Sequence, residues 1–155
     1  MEQCGESVFL GIRNAHHVTV IDIVESRKDF KISSPIGTAL PLLAGAVGKA
    51  FLSAMPAPEA ASYLKTHPLR RFTSQTIVDP AIYLEELKAV KKRGYALDDE
   101  EYIAGVRAVA VCLSPRAGHL PALWVVGFKA EMSDDLMPGI VDQTLAAALQ
   151  INQSV

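Results

Sequence analysis

An α+β fold with an antiparallel sheet is predicted by the order in which two periodicities occur along the 155 residues. β-prone segments cluster near both ends, helical segments cluster in the middle, and one further helix closes the chain. A doubly wound parallel sheet would alternate strand and helix throughout instead.

Residues 7–12 are short, apolar and β-prone. Asn14-Ala15-His16 forms a turn, and residues 18–24 return rich in β-branched side chains, so the pair is expected as an antiparallel hairpin. A third strand is expected at Phe30-Lys31-Ile32, after a charged turn at residues 26–29. The turn residues of 33–37 make a loop. Residues 40–55 carry one charge, Lys49, and read as a helix buried on most of its surface until Pro56 and Pro58 stop it. Residues 59–66 form a short helix before Pro68. Asp79-Pro80 starts a third, because Asp caps orphan amides and Pro suits the first helical position. Tyr83, Leu84, Leu87 and Val90 share its apolar face, and Gly94 ends it. Residues 106–113 are apolar apart from Arg107, as in a strand covered on both faces. A loop over residues 114–121 leads to a second buried strand at 122–128. Ser133 is expected to cap the closing helix, with Pro138 in its first turn.

Composition excludes several classes of function. Half the residues are hydrophobic and 21% are charged, which is globular rather than disordered. A net charge of −2 argues against a nucleic-acid-binding surface. No apolar run reaches the ~18 residues of a membrane span. The opening Met1-Glu2-Gln3-Cys4-Gly5-Glu6 lacks the regions of a signal peptide. Two cysteines in no CxxC arrangement point to a reducing, cytoplasmic setting rather than a disulfide scaffold.

Each candidate for chemistry also has a plain structural reading. Gly45-Ala46-Val47-Gly48-Lys49-Ala50 is not a P-loop, because Leu43 stands where the first glycine belongs and Ala50 where the hydroxyl belongs. Small residues let a buried helix approach a sheet, and at a helix start they leave amides free to meet an anion. Cys112 lies in an apolar strand with His119 seven residues on, and reads as a structural thiol rather than a nucleophile. His16 and His17 point to opposite sides and read as a solvated turn. The run Asp98-Asp99-Glu100-Glu101 lacks a calcium-loop pattern and reads as a solvated acidic turn, one member of which could face a pocket. Trp124 shares a strand face with Val126, as core or as a pocket wall. No catalytic set, metal site or cofactor motif emerges, and the residues alone suggest a binding module.

Four segments in register carry a resemblance: residues 38–52 around Leu43-Ala44-Gly45-Ala46-Val47-Gly48-Lys49-Ala50, Phe72-Thr73 with Thr76-Ile77, residues 92–101, and residues 105–110. Together with the opening strand they resemble the effector-binding domain of IclR-type (isocitrate lyase regulator) bacterial transcription factors, over essentially the whole chain. The resemblance implies a GAF-like curved antiparallel sheet of about six strands flanked by helices. It implies a non-enzymatic ligand sensor, a homodimer or tetramer, that acts on operator DNA only through an N-terminal helix-turn-helix domain absent from this chain. The implied pocket is formed by amides of Gly45, Ala46 and Val47, the acid Asp98, the sheet positions Ala108, Trp124 and Val126, and an apolar wall of Ile32, Leu40 and Val106. Ala108 stands where relatives often have cysteine, and Trp124 and Val126 where they often have serine. The implied effector is therefore an anion with an apolar or aromatic body rather than a two- or three-carbon acid. A GAF- or PAS-like sensor of another signalling protein is the alternative, and a small enzyme using Cys112 a third.

Overall fold

The computed structural model describes residues 4–154. Residues 1–3, part of the opening segment read for a signal peptide, and Val155 lie outside the described residues.

The N-terminal hairpin forms as expected. Strands β1 (Ser7–Asn14) and β2 (His17–Val24) pair antiparallel across the turn at Ala15 and His16. The register shifts between Leu10 and Gly11, leaving Ile21 as the extra residue of a bulge in β2. Strand β3 (Ala39–Pro41) takes the free edge of β2, with Val18 opposite Leu40. The third strand expected at Phe30-Lys31-Ile32 is absent. That edge of β2 is already occupied by β3, so residues 29–36 cross as an irregular strap and the Phe30 ring is left 85% exposed.

The apolar stretch 40–55 does not form one helix. Leu40 precedes a proline, which favours extended backbone, and Leu40 and Pro41 belong to β3. Helix α1 runs only over Gly45–Ser53. Helices α2 (Ala57–Thr66) and α3 (Pro80–Arg93) follow. The Asp79 carboxylate caps α3 by accepting from the Ala81 amide at 2.8 Å. Tyr83, Leu87 and Val90 are its buried residues, while Leu84 is only partly covered.

Strands β4 (Ala96–Asp99), β5 (Val106–Cys112) and β6 (Pro121–Phe128) complete a six-stranded antiparallel sheet in the order β3-β2-β1-β6-β5-β4. Helix α4 (Met137–Gln153) closes the chain with Pro138 in its first turn. Ser133 does not cap it. Its carbonyl accepts from the Leu136 and Met137 amides in a preceding turn, and Leu136 stands at the cap.

The sheet separates two cores. Phe9, Ala108, Ala110 and Trp124 face α1 and α3, whereas Val109, Val111, Leu123 and Val125 face α4. This alternation in β5 and β6 is why both read as continuous apolar runs.

Candidate functional site

The inner face of the sheet, the start of α1 and the strap enclose a cavity of about 200 Å³. Each wall has a local cause. In β6, Trp124 and Val126 alternate onto the α1 side, and the Trp124 ring stacks on Phe9 of β1 with centroids 5.6 Å apart. Val106 and Ala108 do the same from β5, where Ala108 lies opposite Val126. The strap contributes Ile32, Ser33 and Ser34, and β3 contributes Leu40. Across from the sheet, α1 begins with Gly45, Ala46 and Val47 after Ala44, which makes no side-chain cap. The first amides of the helix thus meet the cavity without a capping oxygen from Ala44.

Asp98 reaches the same cavity from β4. Strand alternation sends it inward and sends Asp99 to the opposite face. It is 5% exposed, and its Oδ1 accepts the Glu101 amide at 2.7 Å. Burial pushes its carboxyl up to about 6; the Glu101 carboxylate adds to the rise, while the Glu101 and Tyr102 amides and the Lys49 ammonium oppose it. A carboxyl raised in this way holds its proton more tightly folded than unfolded. Its ionisation therefore opposes folding above about pH 6, and the opposition fades as pH falls toward the ordinary carboxylate range.

Gly45 is what lets the helix start and the carboxylate meet. Its φ is +65°, a conformation costly for other residues. A Cβ there would stand 2.7 Å from Asp98 Oδ2.

The acidic run is a correction to the solvated turn expected from sequence. Asp99 pairs with Arg107 at 2.9 Å, Glu100 with Lys129 at 2.9 Å, and Glu101 with Lys49 at 2.8 Å. Arg107 is itself buried and also donates to the Met132 carbonyl at 2.8 Å. The turn behind Asp98 is anchored by Thr73, whose hydroxyl donates to the Glu100 carbonyl at 2.6 Å, and by Thr76, which donates to that of Glu101 at 2.6 Å.

All ten residues singled out from the sequence line this one cavity: Ile32, Leu40, Gly45, Ala46, Val47, Asp98, Val106, Ala108, Trp124 and Val126. Sequence reasoning missed Phe9, Ser33, Ser34, Ala44, Tyr102 and Ile103. Only Phe9 carried a usable signal, as the large residue on the β1 face that meets Trp124 in register. Sequence reasoning also passed over Lys49. It is 4% exposed beneath the helix start, where it meets Glu101, the Leu97 carbonyl and Glu86. A lone cation in an otherwise apolar helix was its signal.

The other candidates stay outside the cavity. Cys112 donates to the Ala50 carbonyl at 3.2 Å, and burial pushes its thiol up to about 12. His16 is exposed but not free in solvent, since its ring lies 4.4 Å from that of His67 and its Nδ1 is 3.2 Å from the Tyr63 hydroxyl. Among the described residues no group of His, Cys, Asp and Glu could hold a metal ion, and no helix is long and apolar enough to cross a membrane.

Residues 1–153 match the protein family described as bacterial transcriptional regulator IclR C-terminal. The chain is 33% identical over 154 residues to the acetate operon repressor of Salmonella typhimurium, covering 97% of this chain and 56% of that protein. It is 30% identical over 154 residues to the transcriptional repressor IclR of Escherichia coli, with the same coverage. The crystal structure of the Thermotoga maritima IclR superposes with a TM-score of 0.89 at 28% identity, covering 99% of this chain and 62% of that one. The chain thus spans little more than half the length of the curated relatives it matches.

Proposed function

The chain belongs to the IclR family of bacterial transcriptional regulators as its C-terminal, effector-binding domain, and from this premise we propose that the cavity beneath α1 binds an anionic effector with an apolar or aromatic body. The carrying observation is the asymmetry of the cavity walls. At one end are the uncapped first amides of α1, which suit a carboxylate through unsatisfied donors and the positive end of the helix. Ser33 and Ser34 of the strap, Asp98 and Tyr102 add polar groups, but the sheet face opposite is Phe9, Leu40, Val106, Ala108, Trp124 and Val126, which offers a polar ligand little in exchange for its lost hydration. A volume of about 200 Å³ suits a one-ring acid, since an apolar cavity of about 150 Å³ already accepts benzene.

In this reading the effector shifts operator binding by a helix-turn-helix domain outside this chain, in a cytoplasmic repressor. The domain itself self-associates and has no catalytic role, in keeping with the raised Cys112 thiol. Sedimentation of the domain is expected to show self-association, and its own affinity for operator DNA at physiological salt is expected to be no tighter than non-specific binding, with a dissociation constant of ~10⁻⁴ to 10⁻⁶ M.

The ligand class is tested by thermal shift. Benzoate at 100 times its dissociation constant is expected to stabilise the domain by about 2.7 kcal/mol, and pyruvate at the same concentration by much less. The Trp124→Ser/Val126→Ser double variant is expected to weaken benzoate binding. Tighter binding of pyruvate than benzoate by the unaltered domain contradicts the reading.

A further inference from the structure

We propose that the cavity takes up its anionic ligand together with one proton, which Asp98 and the ligand's carboxylate share. The inference rests on the ligand reading above and adds a regulation that the reading does not contain.

Two observations carry it. The first is contact. Asp98 Oδ2 lies so close to Gly45 that a Cβ there would stand 2.7 Å from it. A carboxylate held by the first amides of α1 therefore sits within a few ångströms of the Asp98 carboxylate. The second is that, among the described residues, no lysine, arginine or histidine lines the cavity. Two buried carboxylates with no cation between them do not both stay ionised, and one proton is held by the pair.

The charged groups around Asp98 shift this balance in both directions, and none is a free counter-ion for a second carboxylate. From α1, the Lys49 ammonium favours the ionised form of Asp98, but it is already held by Glu101 at 2.8 Å, the Leu97 carbonyl at 2.9 Å and Glu86 at 3.7 Å and does not line the cavity. The loop after β4 adds the Glu101 carboxylate, which raises the cost of a second anion. On α3, Glu86 meets Lys49 at 3.7 Å and the Tyr83 hydroxyl is buried without a partner, and neither lines the cavity. Asp98 pairs across the ladder with Ala108 of β5, and Ala108 with Val126 of β6, so its sheet neighbours carry no charge. Asp99, Arg107 and Lys129 pair together on the far side of the sheet. In the strap, Lys31 is paired with Glu25 at 3.4 Å. The free carboxyl already titrates near neutrality, pushed up to about 6 by burial, so a nearby anion moves it across the physiological range.

The sign follows from linkage. Below about pH 6 Asp98 is protonated in the free domain, and binding takes up no further proton. Above it, binding raises the Asp98 carboxyl further and draws a proton from solvent. Affinity then falls about tenfold per pH unit.

Isothermal titration with benzoate tests this on the unaltered domain, in buffers of different ionisation enthalpy. Near pH 7.5 the expected uptake approaches one proton per benzoate, and affinity falls about tenfold per pH unit above about pH 6. Benzyl alcohol, the uncharged control, is expected to bind without uptake. Asp98→Asn is expected to bind benzoate with neither uptake nor pH dependence. Benzoate binding by the unaltered domain with pH-independent affinity and no uptake overturns this inference alone, and so does undiminished uptake in a folded Asp98→Asn variant. No benzoate binding by the unaltered domain at tens of millimolar, even near pH 5, overturns the ligand reading and this inference with it.

Discussion

Gly48→Ala is expected to destabilise the domain by about 3 kcal/mol or more, the reverse of what alanine does elsewhere in a helix. At an ordinary interior position alanine is better than glycine by about 1 kcal/mol. Here an added Cβ would stand 1.8 Å from the Leu42 carbonyl oxygen, 3.0 Å from its carbon and 3.3 Å from Leu43 Cα. These are backbone atoms, which no change of rotamer can move. The turn they belong to is also pinned, since the Leu42 amide donates to the His16 carbonyl at 2.9 Å and the Ala44 amide to that of Pro41 at 3.1 Å. Leu42 itself is 1% exposed. Either α1 moves away from the sheet or the turn breaks its bonds to the hairpin, and both disturb the cavity wall at Gly45. Urea unfolding measures the effect; a loss below about 0.5 kcal/mol, the range of ordinary surface changes, contradicts the close approach.

Lys49→Met is expected to cost a comparable amount, about 3 to 5 kcal/mol, because it removes one partner of a buried ion pair and leaves the other uncompensated. The ammonium is shared by Glu101 at 2.8 Å, the Leu97 carbonyl at 2.9 Å and Glu86 at 3.7 Å, with the Lys49 side chain 5% exposed. Glu86 keeps Arg93 at 3.0 Å, so Glu101 bears most of the loss. Combining Lys49→Met with Glu101→Leu is expected to cost less than the sum of the single changes, since the stranded carboxylate goes with the ammonium. Strict additivity in the double-mutant cycle contradicts a coupled pair.

Much of the fold is legible in the sequence because local chemistry and tertiary packing agree. The hairpin, the Asp79-Pro80 helix start and the two apolar strands of the last third all stand where turn residues, capping and period place them. The failures come where tertiary pairing outweighs local preference. Phe30-Lys31-Ile32 has strand chemistry, but β3 already occupies the edge of β2. Residues 40–55 have one apolar character throughout, and nothing in that character shows that the first two belong to a sheet edge. The acidic run reads as solvated because its partners, Arg107, Lys129 and Lys49, are brought to it only by folding. Ser133 offers a cap, yet the chain makes one more turn before α4 begins.

The cavity is legible in another way. Period and spacing place Trp124 with Val126 on one face and leave the start of α1 open, but they do not bring the two together. The ten residues are assembled by resemblance, and the structure gathers all ten around one space. Tyr102 and Ile103 escape because they follow the acidic run in a loop, where neither period applies.

The central claim, that a ligand anion meets the start of α1, is tested most directly by following backbone amide resonances during a benzoate titration. The largest shifts are expected at Gly45, Ala46 and Val47, with smaller ones at Ala108 and Val126 across the cavity. Two larger surface depressions provide the contrast. One of about 370 Å³ lies between α1, α2 and α3 beside Lys88 and Lys91, and one of about 360 Å³ lies beside Glu6 and Lys28. Saturable shifts confined to either depression, with Gly45, Ala46 and Val47 unmoved, contradict the claim.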